Sequence, residues 1–367
     1  MSGGLVHFVV PGRLGQRTGG SIYDRRMVEG LRLRQSIVTV LELAGDFPSA
    51  DARAEAELAE ALAGLPDGAL VVVDFLVLAG LPEVARTHAS RLTLLGLVHV
   101  LPSDEPQLVP HERHRRSGLE RRSLHACSGL IVTSPYTAKR LADLGIEPRR
   151  IRTVIPGTDP VPPASGPGPD APPRILCVGA VTPGKGQDVL VRALVELAAL
   201  TWSCVCAGSL TKAPAYAADL TRSIRAAGLS TRITLEGECD VATVDELYAS
   251  SSIFVLPSYF ESYGMALTEA MARGLPIVST TAGAIPDTVP GDAGILVAPG
   301  DSRALAGALR SLLDDPAAGP EDEADRRRAR LGAAARRHAS NLPDWEGQVT
   351  VFSEALSAFG PGQAHIS

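Results

Sequence analysis

The sequence predicts an α/β fold of two doubly wound, Rossmann-like domains facing across a cleft, and three observations carry that prediction. Short apolar, β-branched runs alternate with helical patterns, a proline-rich stretch interrupts the alternation once, and the same rhythm then restarts. At 367 residues the chain is too long for one ordinary core, since single cores stop growing near ~250 residues, and suits two.

The first six strands are expected in LVHFVV (5–10), SIVTVLEL (36–43), ALVVVDFLVLAG (69–80), LTLLGLVHV (92–100), GLIVTS (129–134) and IRTVIPG (151–157). Their alternation with helices implies a parallel sheet covered on both faces. Residues 156–173, PGTDPVPPASGPGPDAPP, have no apolar periodicity and read as an extended connector. The second set follows in RILCVGAV (174–181), WSCVCAGSL (202–210), RITLEGE (232–238), SIFVLPS (252–258), PIVSTTAG (276–283) and GILVAPG (294–300). Between them, GMALTEAMARG has a helical period closed by Arg273 in its last turn and Gly274 just past it. The expected boundaries are a first domain over 1–158, a linker over 159–173 and a second domain over 174–343. DPAAGPEDEADRRRARLGAAARRHA reads as a solvated helical segment, and 344–360 as an amphipathic helix with Trp345 near its start, assigned to pack back on the first domain. In such sheets ligands bind beyond the carboxyl ends of the strands, which points to the loops after 10, 99, 181, 209, 258 and 283.

Composition removes several function classes. A formal charge of −6, from 35 basic and 41 acidic side chains, gives no electrostatic basis for holding nucleic acid. Cys127, Cys177, Cys204, Cys206 and Cys239 show no CxxC pair and no histidine at zinc-ligand spacing, so they read as reduced packing residues. MSGGLVHFVV has no basic n-region, and no apolar run approaches the ~20 residues that span a bilayer. The expectation is a soluble cytoplasmic protein with small-molecule partners and no stable membrane insertion.

Four places carry candidate chemistry. Gly12, Gly15, Gly19 and Gly20 follow the first strand and lead into a helix, where bare backbone amides and the helix dipole suit a phosphate, though glycine-rich loops also serve as plain turns. No tight GxGxxG opens that helix, so it is not the dinucleotide fingerprint. Lys185, between Gly184 and Gly186 ahead of a helix, places an ammonium beside such amides; the bland alternative is a surface lysine in a turn. Glu261 and Glu269 stand eight positions apart around Gly264, with Glu269 ~7.5 Å along its helix by the helical rise. Two carboxylates flanking backbone donors suit the vicinal hydroxyls of a polyol better than a metal, whereas Glu269 alone could be a capping or salt-bridging residue. His99 ends a strand and falls on the ligand side by the same rule, although a lone histidine is more often structural. The run HERHRRSGLERR (111–122) reads as a solvated helix face rather than a membrane-facing one, because its glutamates are interspersed and no bulky apolar stripe accompanies it.

Together these residues resemble glycosyltransferase family 4, the retaining enzymes of the GT-B fold, over nearly the whole chain. FESYGMALTEAMARGLPIVSTTAGAIPDTV is similar to that family's E-x-[FY]-G-x-x-x-x-E segment with its following glycine turn, and VGAVTPGKG to its phosphate loop. VTSPYTAKRL, VIPGTDP and the tail at Trp345 resemble further landmarks. The resemblance implies catalytic roles for His99, Lys185 and Glu261. It implies a donor site of Gly19, Gly20, Lys185, Ser209, Glu261, Tyr263, Gly264, Met265 and Glu269. Within it, Lys185 would bind the diphosphate, Glu261 and the amides of Tyr263 to Met265 the sugar, and Glu269 the ribose. Gly20 would approach the phosphates or sugar, and His99 would lie at the reacting centre. Two departures are evident: Ala180 stands where many members have an arginine, and the turn AGAIPD has Ala282, Gly283 and Asp287 in place of paired glycines and a glutamate.

The expectation is a retaining transferase using a nucleotide-diphosphate sugar, UDP-linked, on a hydroxyl of a small polar acceptor. No DxD sequence is present, so no metal and no cofactor beyond the co-substrate is expected. Alternatives are another GT-B chemistry such as a phosphorylase or epimerase, and a catalytically silent homologue that binds a nucleotide sugar or acts as a scaffold, which Ala180 keeps open.

Overall fold

A computed structural model of the chain describes residues 5–168, 171–313 and 323–360. The chain divides into two compact units, Met1–Gly157 with Pro343–Ser367, and Thr158–Leu342. Each is an α/β unit built on a six-stranded parallel sheet.

In the first unit the elements run β1 (Leu5–Pro11), α1 (Gly19–Leu33), β2 (Ile37–Leu43), α2 (Ala52–Ala63), β3 (Leu70–Asp74), α3 (Phe75–Leu78), α4 (Pro82–His88), β4 (Thr93–Val98), α5 (Pro110–Ala126), β5 (Gly129–Val132), α6 (Pro135–Asp143) and β6 (Ile151–Thr153). The sheet order is β2-β1-β3-β4-β5-β6. Its central strands are buried on both faces, with Val71, Val72, Val73, Leu94 and Leu95 sealed from solvent, as crossover helices require.

Two expectations are corrected here. The apolar run 69–80 is not one strand: it breaks after Asp74, whose Oδ1 accepts from Leu76 N at 2.9 Å and starts α3. A continuous apolar run cannot signal that change of period, because a buried strand and a buried helix both read as unbroken hydrophobicity. Likewise, α5 is not purely solvated. Glu120 is fully buried and accepts from the amide of Ser103 at 2.7 Å and from its hydroxyl at 2.5 Å.

The second unit runs β7 (Arg174–Val178), α7 (Gln187–Glu196), β8 (Ser203–Ala207), α8 (Pro214–Ala226), β9 (Ile233–Gly237), α9 (Val241–Ala249), β10 (Ile253–Leu256), α10 (Met265–Ala272), β11 (Ile277–Thr280), α11 (Ile285–Thr288), β12 (Gly294–Val297), α12 (Ser302–Arg310) and α13 (Glu323–Ala339). Its order, β12-β11-β10-β7-β8-β9, reverses direction between β10 and β7. A crevice opens at such a reversal, outside the carboxyl ends of the strands.

The described part of the proline-rich stretch has no helix or strand, but it is tied to the second unit and is not a free connector. Ala164 N donates to Arg273 O and Ser165 N to Ala249 O, each at 2.8 Å, and Arg336 donates to Val161 O at 3.1 Å. Proline supplies no amide, so the residues between the prolines make these bonds. Part of the segment 315–339 expected as a solvated helix lies outside the described residues; of the rest, α13 buries Ala324, Leu331, Ala334 and Ala335.

Helix α14 (Trp345–Phe359) returns the chain to the first unit. Asp344 caps it, accepting from Gly347 N at 2.7 Å. Phe352 stacks on Phe8 with ring centroids 5.9 Å apart, and Tyr23 meets Trp345 edge-on at 6.0 Å. Gly30 admits this packing, because a Cβ there would stand 2.3 Å from Val349. No described helix is long and apolar enough to cross a membrane.

Candidate functional site

The second unit gathers its candidate residues at the reversal between β7 and β10. The loop after β10 lies against the loop after β7: Tyr259 N donates to Gly184 O at 2.9 Å, and a Cβ on Gly186 would come within 2.3 Å of Pro257 O. Gly186 has φ +69°, so glycine serves both the backbone conformation and the close approach. Across this contact Lys185 Nζ meets Glu261 Oε1 at 2.5 Å. The same oxygen accepts from the hydroxyl of fully buried Ser258 at 2.6 Å. Ala284 N donates to Glu261 O at 2.8 Å, and a Cβ on Gly283 would stand 2.2 Å from that oxygen, so the turn after β11 closes against the backbone of Glu261.

Helix starts in this unit divide by position. The helices after the edge strands are closed by aspartates: Asp240 accepts from Thr243 N at 2.8 Å ahead of α9, and Asp301 from Ala304 N at 2.9 Å ahead of α12. By contrast α7, α8 and α10, which follow the central strands β7, β8 and β10, begin with Gly186, Ala213 and Gly264, whose side chains supply no cap, although in α7 the Asp188 amide donates to the Tyr216 hydroxyl at 3.0 Å. The first amides of a helix lack intrahelical partners, so an uncapped start offers donors and a positive dipole end to an anion. The cluster of Lys185, Glu261 and Ser258 sits at two of these three starts.

Glu269 projects from α10 to α9, where the Tyr248 hydroxyl donates to its Oε2 at 2.9 Å. Burial pushes its carboxyl up to about 7; the Tyr248 bond and the Arg273 charge act the other way. Tyr263 is buried and its carbonyl accepts from Thr288 at 2.7 Å, which anchors the turn before Gly264 and Met265. Ser209 is buried after β8 and its carbonyl accepts from Val181 N at 2.9 Å. Thus Lys185, Ser209, Glu261, Tyr263, Gly264, Met265 and Glu269 all belong to the loops and helix starts of one sheet end.

His99 belongs to the first unit, just past β4. Its Nε2 lies 2.8 Å from Asp24 Oδ1, Tyr23 meets its ring edge-on at 5.2 Å, and a Cβ on Gly20 would stand 3.2 Å from its Cδ2. Gly20 and Asp24 are one turn apart on α1, so one helix face grips the ring. Burial works to lower the His99 pKa, but the charge and hydrogen bond of Asp24 and the charge of Asp74 outweigh it, and the net direction is upward. Asp74 is raised to about 7, first by burial and then by Asp24. Among the described residues, Asp24, Asp74 and His99 form the group with metal-ligand spacing, their ligand atoms within 4.8 Å of one another. Gly19 and Gly20 form the first turn of α1, yet that start is capped: Thr18 Oγ1 accepts from Ser21 N at 3.1 Å. The amides expected to be bare there are therefore not all so.

Sequence reasoning missed Asp24, Asp74, Tyr248 and Gln187 as supports. Gln187 is fully buried and donates from Nε2 to Ala180 O at 3.0 Å, holding the turn after β7. The spacing of Gly20 and Asp24 on one helix was the available signal for the first pair; nothing local marks Tyr248 as the partner of Glu269, twenty-one residues away. Cys127, Cys177, Cys204 and Cys206 are free and buried, and Cys239 is free and half-buried.

The two units have the GT-B fold. Over 95% of this chain and 99% of the other, the structure of HepE from Anabaena, in complex with UDP and glucose, superposes with a TM-score of 0.73 at 18% identity. Residues 172–315, within the second unit, match the family described as glycosyl transferases group 1. Among curated proteins, it is 37% identical to the lipopolysaccharide core biosynthesis mannosyltransferase LpcC of Rhizobium leguminosarum bv. viciae over 171 residues, 45% of this chain and 48% of the relative. It is 30% identical to the D-inositol 3-phosphate glycosyltransferase of Thermobifida fusca over 237 residues, 59% and 52% respectively. The chain thus spans about half the length of the curated relatives it matches.

Proposed function

We propose that the protein transfers a sugar, with retention, from a UDP-linked donor to a hydroxyl of a small polar acceptor, without a metal. The observation that carries this reading is the meeting of Lys185 and Glu261 at the uncapped starts of α7 and α10. Glycosyl transfer builds negative charge on a leaving diphosphate, and preorganised donors aimed at such developing charge are commonly the largest single contribution to catalysis. Lys185 and the two helix starts provide them. Glu261 then turns its carboxylate from Lys185 and Ser258 to the hydroxyls of the sugar, while the amides of Tyr263 to Met265 hold the sugar from the other side. Glu269 takes the ribose hydroxyls, and Ser209 lines the phosphate loop.

Retention without a protein nucleophile delivers the acceptor hydroxyl to the face the leaving group departs from. Its proton passes to the departing phosphate oxygen, so no carboxylate is needed as a base. In the first unit His99 is the group assigned to the reacting centre, its Nε2 occupied by Asp24. The small polar acceptor is in keeping with the charged loop residues Arg13, Arg17, Asp104 and Glu105, and with a relative named for inositol 3-phosphate.

Calorimetric titration with UDP, GDP and ADP, with and without EDTA, tests the reading. Micromolar UDP binding that ignores EDTA and is lost in Lys185→Ala is the expected result. A protein that binds none of the three nucleotides would sink the transferase.

A further inference from the structure

The loop after β8, which carries Lys212, is paired with the loop that carries Lys185. β7 and β8 pair in parallel with Val178 opposite Ala207. They stay paired beyond their ends: Gly179 N donates to Ala207 O and Val181 N to Ser209 O, both at 2.9 Å. A Cβ on Gly208 would stand 2.1 Å from Gly179 O, so the two loops approach as closely as backbones can. Lys185 folds over the same turn; a Cβ on Gly179 would lie 3.6 Å from its Cδ. On the other loop, Ser209 Oγ and Thr211 Oγ1 lie 3.1 Å apart, and Lys212 follows directly, two residues before the uncapped start of α8.

Lys212 therefore leaves the loop that is zipped to the Lys185 turn. Partial desolvation of its ammonium lowers its pKa, the charge of Glu238 opposes this, and the charge of Lys185 adds to the lowering. Lys185 has Glu261 as a direct partner, and its charge still acts on Lys212. Like charges held in mutual range beside open helix starts are relieved by an anion that both can reach.

We propose that Lys212 is a second diphosphate-binding residue, reaching from the β8–α8 loop the same phosphate charge that Lys185 reaches from the β7–α7 loop. The proposal rests on the donor site described above and adds to it a residue whose task is the anion alone. Because Ala180 offers no charge in the turn between them, Lys212 supplies the second of two cations that flank the diphosphate.

The test is calorimetry with inorganic pyrophosphate and with UDP on the full chain, comparing wild type with Lys212→Met, Lys212→Arg, Lys185→Met and the double methionine variant. Loss of one charge-assisted contact should weaken both ligands about tenfold in Lys212→Met, with most of it restored in Lys212→Arg. The dependence of affinity on salt should also flatten in Lys212→Met, as removal of one phosphate-facing charge requires. Lys212 is exposed, so the thermal melt should not move, and a lost affinity then reports the contact rather than the fold. Wild-type affinity for pyrophosphate in Lys212→Met, with Lys185→Met weakened, would overturn the role of Lys212 and leave the donor site standing. A wild-type protein that binds neither pyrophosphate nor UDP would overturn both.

Discussion

Glu269 is a buried carboxyl whose direct partner is the Tyr248 hydroxyl. Its folded pKa of about 7 exceeds the ~4.3 of an unperturbed glutamate, so the folded chain keeps a proton that the unfolded chain releases. Its favourable contribution is therefore complete below the unfolded value and is lost as pH rises through about 7. Glu269→Gln keeps an acceptor for the Tyr248 hydroxyl and removes the buried charge. Its Tm should match that of wild type at pH 5 and exceed it at pH 8, while UDP affinity falls at both. Asp74, raised to about 7 mainly by burial, tilts the first unit in the same direction, so the informative quantity is the difference between variant and wild type. Equal Tm values at pH 8 would show that the Glu269 charge is not costly where it stands.

At the scale of the element, the start of α7 combines a left-handed residue with a steric contact. Gly186→Ala would place a Cβ at φ +69° and 2.3 Å from Pro257 O. The backbone term alone costs about 1–2 kcal/mol, and relieving the contact moves the β10 loop away from Lys185. Urea unfolding should show at least that loss, and UDP affinity should fall as the Lys185 and Glu261 pair is pulled apart. Unaltered nucleotide binding in a destabilised Gly186→Ala protein would separate the loop contact from the site. The aspartate caps of α9 and α12 have no such double duty, which is why the sequence could place charged caps at the edges of the sheet and glycine at two of its central starts.

For the whole molecule, the last helix decides which unit a mutation reports on. Phe352 is fully buried against Phe8 and near Tyr23, so Phe352→Ala should cost about 3–5 kcal/mol. That loss belongs to the first unit although the residue lies at the far end of the chain. Hydrogen exchange in rising urea, followed by mass spectrometry, should show peptides of the first unit losing protection early while β7–β12 keep theirs. Simultaneous loss in both sheets would mean that the units unfold as one.

Much of this protein was legible in sequence because its signals are local. Alternating apolar runs placed the twelve strands of the described residues, Gly264 and Gly274 bracketed α10, and Lys185 between two glycines marked a helix start. The failures share one cause. That the run 69–80 turns into a helix depends on Asp74 capping Leu76, and that Glu120 is buried depends on Ser103 seventeen residues away. Neither is written in an apolar period. The same holds for the site: residue types and spacing determined that carboxylates, a lysine and glycines would lie at the strand ends, since the parallel βα repeat always turns there. Only the tertiary structure decided that Lys185 faces Glu261, that Tyr248 takes Glu269, and that Asp24 and Asp74 surround His99. Those pairings join residues of different crossovers, so they exist only once the sheets have brought separate segments together.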